Sequence, residues 1–249
     1  MVYTSEHPIF AVTVDIAIFT VADDELRVLL VRRGQEPERG RLALPGGFVE
    51  IDEDVPAAAR RELVEETGVA DVVLEQLATY GAPGRDPRGR VVSVAHVAVL
   101  PAQVEARAGT DAAEAAWHPV EPLLRGRSRL AFDHRLILKD AVERVRAKLE
   151  YTTLATAFVG PEFTLTELRR VYEIVWGAEF DAGNFQRKMR RTEDFVVETG
   201  RTRPPVGRGR PAATFRARRR GLHTLTTPIT RATPHEPSAL GGRPTAGRA

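Results

Sequence analysis

Not one of the 249 residues is a cysteine. A disulfide framework and a thiolate metal site are therefore both excluded, and a cytoplasmic location is expected. Long hydrophobic runs are also missing. The apolar stretch from Ile9 to Val21 is too short for a bilayer and carries Asp15, so it predicts a strand and no membrane contact. The first residues, "MVYTSEHPIF", hold no basic segment followed by an apolar run, so no secretory signal is expected. No internal repeat is present. One local absence is informative: residues 201–220 contain eight arginines and no acidic residue.

What is present is unevenly spread. The net charge is only +2, but residues 1–150 hold 19 Lys+Arg against 25 Asp+Glu, and residues 151–249 hold 17 against 9. A first part at −6 and a second at +8 suggest two modules with different partners, the basic one a candidate for nucleic acid. Apolar residues at 43% allow a sizeable core.

The first module alternates strands and helices. "FAVTVDIAIFTV" places Val12, Val14, Ile16 and Ile18 on one face, and "ELRVLLVRR" follows a polar turn, which predicts a hairpin. "VVSVAHVAVL", from Val91 to Leu100, predicts a strand covered on both faces, with His96 a core histidine. "FDHRLILKDAVERVRAKLE" predicts a helix with Leu136, Ile137, Val142, Val145 and Leu149 inward. The result is an α/β or α+β domain of about 150 residues. Beyond Gly160-Pro161, Thr164 and Glu167 stand at capping-box spacing ahead of an apolar face of Leu165, Leu168, Val171, Tyr172 and Val175. Gly177 ends that helix. Asp181 starts a second one, with Phe185 and Met189 inward. Two short helices joined by a tight turn predict a helix-turn-helix, followed by two strands around an arginine-rich loop. Residues 222–249 show no periodicity and are expected to be disordered.

Two segments carry chemistry. "GGFVEIDEDVPAAARRELVEETGV" sets Glu62, Glu65 and Glu66 on one arc of a helix that begins near Pro56 and stops before Gly68. Their mutual repulsion becomes attraction when a divalent cation binds, and hard cations such as Mg²⁺ prefer carboxylate oxygen. Gly46 and Gly47 allow a ligand to approach the backbone, with Phe48 alongside, and Glu53 can reach back to Arg61. The second segment is the basic helix. With Phe185 and Met189 inward, Asn184, Arg187, Lys188, Arg190 and Arg191 are left on or near the outside, a set suited to phosphates and base edges. In the loop beyond, Arg208 and Arg210 flank a glycine before Pro211, a slim loop for a minor groove. His134 is expected to be a packed structural group.

Gly47, Glu53 and the run Arg61 to Val69 resemble the Nudix box at every defined position. The resemblance implies an α/β/α sandwich at residues 8–150 and a site for a nucleoside diphosphate linked to another group. It also implies Mg²⁺ or Mn²⁺ held by Glu62, Glu65 and Glu66, catalytic roles for Arg61, Glu62 and Glu53, and a ligand over Gly46, Gly47 and Phe48. A further carboxylate is expected from Asp111 or Glu114. Together with "LAFDH" at Leu130 to His134, "FTLTELRRVYE" at Phe163 to Glu173 and "GRPA" at Gly209 to Ala212, the chain resembles the Nudix-related transcriptional regulators, the NrtR family. That resemblance implies a winged helix at residues 151–221 and a homodimeric repressor of NAD biosynthesis or salvage genes. ADP-ribose would bind the Nudix domain and release operator DNA. The box is complete, whereas many members of that family have a damaged one. A metal-dependent pyrophosphohydrolase acting on ADP-ribose, its winged helix serving only dimerisation, is therefore the alternative.

Overall fold

The computed structural model describes residues 7–68, 70, 72–102, 112–126, 129–204 and 210–230. The chain runs β1 (Ala11–Ala22), β2 (Glu25–Arg33), β3 (Leu42–Ala43), β4 (Gly46–Phe48), α1 (Val55–Thr67), β5 (Val73–Tyr80), β6 (Val91–Val99), β7 (Ala112–Pro119), α2 (Val120–Leu124) and α3 (His134–Tyr151). A 3₁₀ turn (Thr153–Phe158) leads to β8 (Phe163–Thr164), α4 (Leu165–Trp176), α5 (Ala182–Arg191), β9 (Val196–Arg203) and β10 (Ala212–Ala217).

β1 to β7 form a mixed sheet in the order β3-β2-β1-β6-β5, with β4 added to β1 and β7 to β2. The β1–β2 hairpin turns at Asp23 and Asp24, both at positive φ, a backbone that aspartate tolerates better than most residues. β1 lies at the centre, parallel to β6 over nine paired residues. The one-faced pattern expected for β1 is corrected here, because Thr13 through Thr20 are all buried. Helices cover both faces. Ile16, Ile18, Leu29 and Ala98 pack with Leu63 of α1. Ala17, Phe19, Val28 and Leu30 pack with Ile137, Leu138, Ala141 and Val142 of α3. A central strand with a helix on each side has no solvent face, so alternation disappears. Leu136 is also corrected: it is half exposed, on the outer side of α3.

Local signals set the helix ends. Asp54 caps α1 through its side chain, accepting from the Ala57 N–H at 2.7 Å, and Gly68 closes it at φ 70°. The Thr164–Glu167 capping box opens α4, and the five apolar residues expected inward on that helix are buried. Asp181 caps α5, whose buried residues are Phe185 and Met189. α4, α5 and the antiparallel sheet β8-β10-β9 make a winged helix. Its core of Leu168, Tyr172, Phe185 and Phe215 is continuous with the core between α3 and the large sheet. Residues 222–230, expected to be disordered, instead pack against the end of α3, with Leu225 and Ile229 buried. A few well-spaced apolar side chains found a groove that no local pattern discloses. Among the described residues, no helix is long and apolar enough to cross a membrane.

Candidate functional site

The acidic helix is organised around Arg61. Its guanidinium grips Glu53 in a two-pronged contact, Nη2 to Oε1 at 2.7 Å and Nε to Oε2 at 3.2 Å. It also donates to Glu62 Oε1 at 2.7 Å and to the Phe48 carbonyl at 3.2 Å, and it lies 3.5 Å from Glu65. The Arg61 hydrogen bond holds Glu53 below the usual carboxylate range, helped by the Glu50 N–H. Burial pushes Glu62 upward, against the pull of Arg61. The structure therefore brings Arg61, Glu53 and Glu62 together and ties them through Arg61 to the Gly46–Phe48 loop.

That loop needs its glycines. A Cβ at Gly47 would stand 2.1 Å from Glu62 Oε1, and one at Gly46, where φ is 153°, would stand 2.1 Å from the Val14 carbonyl oxygen. The three helix glutamates differ in setting. Glu62 and Glu66 are buried, whereas the Glu65 side chain is half exposed. Among the described residues, no three acidic or histidine side chains are gathered closely enough to form a ready metal cage. The donor chemistry still fits a hard divalent cation: carboxylate oxygens on one helix, beside a backbone that lacks side chains. Glu114 is exposed on β7 and paired with Arg32 at 3.2 Å; Asp111 lies outside the described residues.

Beside the loop lies a cavity of about 140 Å³ that opens to solvent, so a ligand larger than the cavity can extend out of it. Gly46, Gly47 and Phe48 line it, as do Arg33, Arg88 and Phe132. The Arg88 guanidinium lies 5.1 Å from the centre of the Phe48 ring and 5.7 Å from that of Phe132, and Arg33 lies 4.8 Å from Phe132. Two guanidinium groups and two aromatic faces suit a ligand that is part phosphate and part flat ring. The cavity wall holds a buried polar network. Asp15 accepts from Ser93 Oγ at 2.5 Å and faces Arg85 at 3.5 Å and His134 Nε2 at 3.4 Å. Arg85 in turn binds both oxygens of Asp133. His134 Nδ1 accepts the Leu44 N–H at 2.9 Å, which leaves the proton on Nε2, toward Asp15. Burial holds this ring below its usual pKa, so it is neutral near pH 7. Sequence reasoning missed Asp15, Arg85 and Arg88. A carboxylate inside an apolar strand was the available signal for Asp15; the two arginines sit in a loop without pattern.

On α5, Asn184, Arg187, Arg190 and Arg191 are exposed and Lys188 is half-buried. Arg187 is bonded to Asn184. Arg190 is turned onto the small sheet, paired with Glu198 and 4.9 Å from the centre of the Phe215 ring. Arg191 is exposed and has no ion-pair partner among the described residues. At the foot of the wing, Arg201 and Arg203 pair with Glu162 and Glu167. Arg210 is exposed, and Arg208 lies outside the described residues.

A two-helix-covered sheet with an arginine-organised acidic helix, fused to a winged helix, defines a Nudix-type sensor or hydrolase joined to a DNA-binding module. The NUDIX domain model matches residues 11–141, and the NrtR DNA-binding winged helix domain model matches residues 155–217. The chain belongs to the Nudix-related transcriptional regulators of the NrtR family. It is 37% identical to the ADPR responsive transcriptional repressor NtrR of Acinetobacter baylyi, over 85% of this chain and 84% of that one. It is 40% identical to the ADP-ribose pyrophosphatase of Methanocaldococcus jannaschii, over 50% of this chain and 71% of that enzyme. The crystal structure of Shewanella oneidensis NrtR complexed with a 27mer DNA matches at a TM-score of 0.73 and 30% identity, covering 88% of this chain and 99% of that one. The NUDIX domain of the same protein, complexed with ADP ribose, matches at 0.52 and 35% identity, covering 56% and 90%.

Proposed function

We propose that this protein is a cytoplasmic, homodimeric DNA-binding repressor of NAD biosynthesis or salvage genes, and that ADP-ribose bound in the Nudix cavity releases it from its operator. The observation that carries this reading is the fusion itself: a solvent-open cavity walled by Arg33, Arg88, Phe48 and Phe132, in a chain whose second module is a winged helix with a basic α5. The aromatic faces would take the adenine and the guanidinium groups the pyrophosphate. Asn184, Arg187, Lys188 and Arg191 would face the major groove, with Arg190 and the wing residues Arg208 and Arg210 adding phosphate or minor-groove contacts.

A divalent metal, Mg²⁺ or Mn²⁺, would be held by Glu62, Glu65 and Glu66, and when bound it neutralises pyrophosphate charge. Arg61 orients Glu53 and Glu62 toward that position, and the side-chain-free Gly46-Gly47 backbone leaves room for phosphate. A second reading, pyrophosphate hydrolysis, is favoured by the complete Arg61–Glu53–Glu62 arrangement. The experiment is a gel shift on the gene's own upstream region and on NAD-biosynthesis promoters, with and without ADP-ribose, alongside an assay for AMP release with Mg²⁺. Retarded DNA that ADP-ribose frees supports the repressor. AMP release without any retarded DNA supports the hydrolase.

A further inference from the structure

The chain crosses between its two modules twice. The first crossing is covalent, at residues 152–154 between α3 and the 3₁₀ turn. The second is made by the segment that follows β10. Thr152 and Thr224 form an antiparallel bridge, the Thr153 N–H donates to the His223 carbonyl at 2.9 Å, and the His223 N–H donates to Thr153 Oγ1 at 3.0 Å. The Leu225 N–H donates to the Tyr151 carbonyl at 2.8 Å and the Ile229 N–H to the Glu150 carbonyl at 2.7 Å. These are last-turn carbonyls of α3, which a helix leaves without partners of its own. They are capped by amides more than 70 residues further along. Leu225 and Ile229 are buried in the same core as Val145, Leu149, Leu154 and Phe158.

We propose that residues 221–230 are a strap that fixes the orientation of the winged helix on the Nudix domain, so that the two move as one lever when the cavity is occupied. Joined modules move relative to one another unless an apolar interface prevents it, and part of the core that runs through both modules is supplied by the strap's own Leu225 and Ile229. A second chain crossing at the same hinge opposes rotation about the first. The pocket end of the lever is α3, which starts at His134 in the cavity wall. Its other end carries α4: Arg146 donates to the Val175 carbonyl, and the Trp176 indole donates to the Arg146 carbonyl, both at 2.9 Å. The strap lies outside both matched domain models, which end at residues 141 and 217.

The lever's effect on DNA rests on the repressor reading; the lock itself does not, and the two are tested separately. Because the chain has no cysteine, Arg60→Cys on α1 and Thr166→Cys on α4, both exposed, accept spin labels at those positions alone. Labelled chain diluted into unlabelled chain reports the distance within one molecule. The full chain and a chain ending at Thr230 should give the same narrow distribution. A chain ending at Gly221 should give one broader by about twofold or more. If truncation prevents folding, Leu225→Ala with Ile229→Ala in the full chain serves instead, with hydrogen exchange at residues 150–154 as the companion readout. Equal widths in strapped and unstrapped proteins, or unchanged exchange, would overturn the proposal. Where the full chain shows ADP-ribose weakening DNA binding by about 5–150-fold, loss of the strap should shrink that factor while ADP-ribose affinity holds. An undiminished factor would remove the lever. A full chain whose DNA binding ignores ADP-ribose would refute the repressor reading and leave the width comparison to decide the lock.

Discussion

His134 shows how much one side chain can decide at the residue scale. Its Nδ1 is committed to the Leu44 N–H, so a second proton would have to displace that bond and enter a buried site. Burial lowers the folded-state pKa of His134, and of His96 and His118, below the unfolded value of about 6.5. The neutral rings therefore stabilise the fold fully above that value, and the contribution is lost as pH falls below it toward the folded pKa. Urea unfolding at about pH 7.5 and about pH 5.5 should show lower stability at the acidic value, and His134→Gln should flatten the dependence. A slope identical to wild type would assign the loss to other groups. The glutamates make a second prediction at this scale. Metal linkage should raise the unfolding temperature of wild type in millimolar Mg²⁺ or Mn²⁺, and much less that of Glu65→Gln with Glu66→Gln. Equal shifts would place the metal elsewhere.

Elements are where capping and pairing act. Glu167 closes the α4 capping box and also pairs with Arg203 of β9, so one carboxylate joins the first helix of the winged module to its wing. Thr164→Ala should cost about 1 kcal/mol of stability, measured by thermal or denaturant unfolding. On α5 the arginines are unequal. Arg191 is exposed and without an ion-pair partner among the described residues, whereas Arg190 is held by Glu198 against Phe215. Arg191→Ala should weaken operator binding at all sequences and lower the salt slope by about one. Arg190→Ala should change the slope less. Fluorescence anisotropy across a salt series separates the two, and equal slopes would mean that Arg190 leaves Glu198 on binding DNA. Arg208→Ala with Arg210→Ala tests the wing, at an expected cost of about 1–3 kcal/mol.

For the whole molecule the quantity of interest is the coupling between cavity and DNA. In a dimer, the two recognition helices must match the half-site spacing, so a small rotation of one module spoils both contacts. As the proposed effector, ADP-ribose would act only through its preference for the mismatched arrangement. Reciprocity requires operator DNA to weaken ADP-ribose binding by the same factor. Calorimetric titration of ADP-ribose into free and operator-bound protein, with Ca²⁺ replacing Mg²⁺ to slow any hydrolysis, measures it. Identical affinities in the two titrations would remove ADP-ribose as effector.

Local chemistry was readable in the sequence because its causes are local. Gly68, Thr164, Gly177 and Asp181 each end or begin a helix through bonds that span a few residues. Glu53 and Arg61 meet because a short loop and two helical turns set their separation. The acidic and basic halves announced two modules by charge alone. Tertiary structure decided what depends on distant partners. It buried both faces of β1, because α1 and α3 come from opposite ends of the domain. It gathered Asp15, Arg85 and Asp133 from a strand, a loop and a helix start. It paired the exposed Arg190 with Glu198 of β9, a partner that no local pattern on α5 discloses. It also ordered residues 222–230, whose sparse apolar side chains find their groove only after α3 and the 3₁₀ turn have formed it. Burial is a property of the surface that receives a segment, and that surface is written elsewhere in the chain.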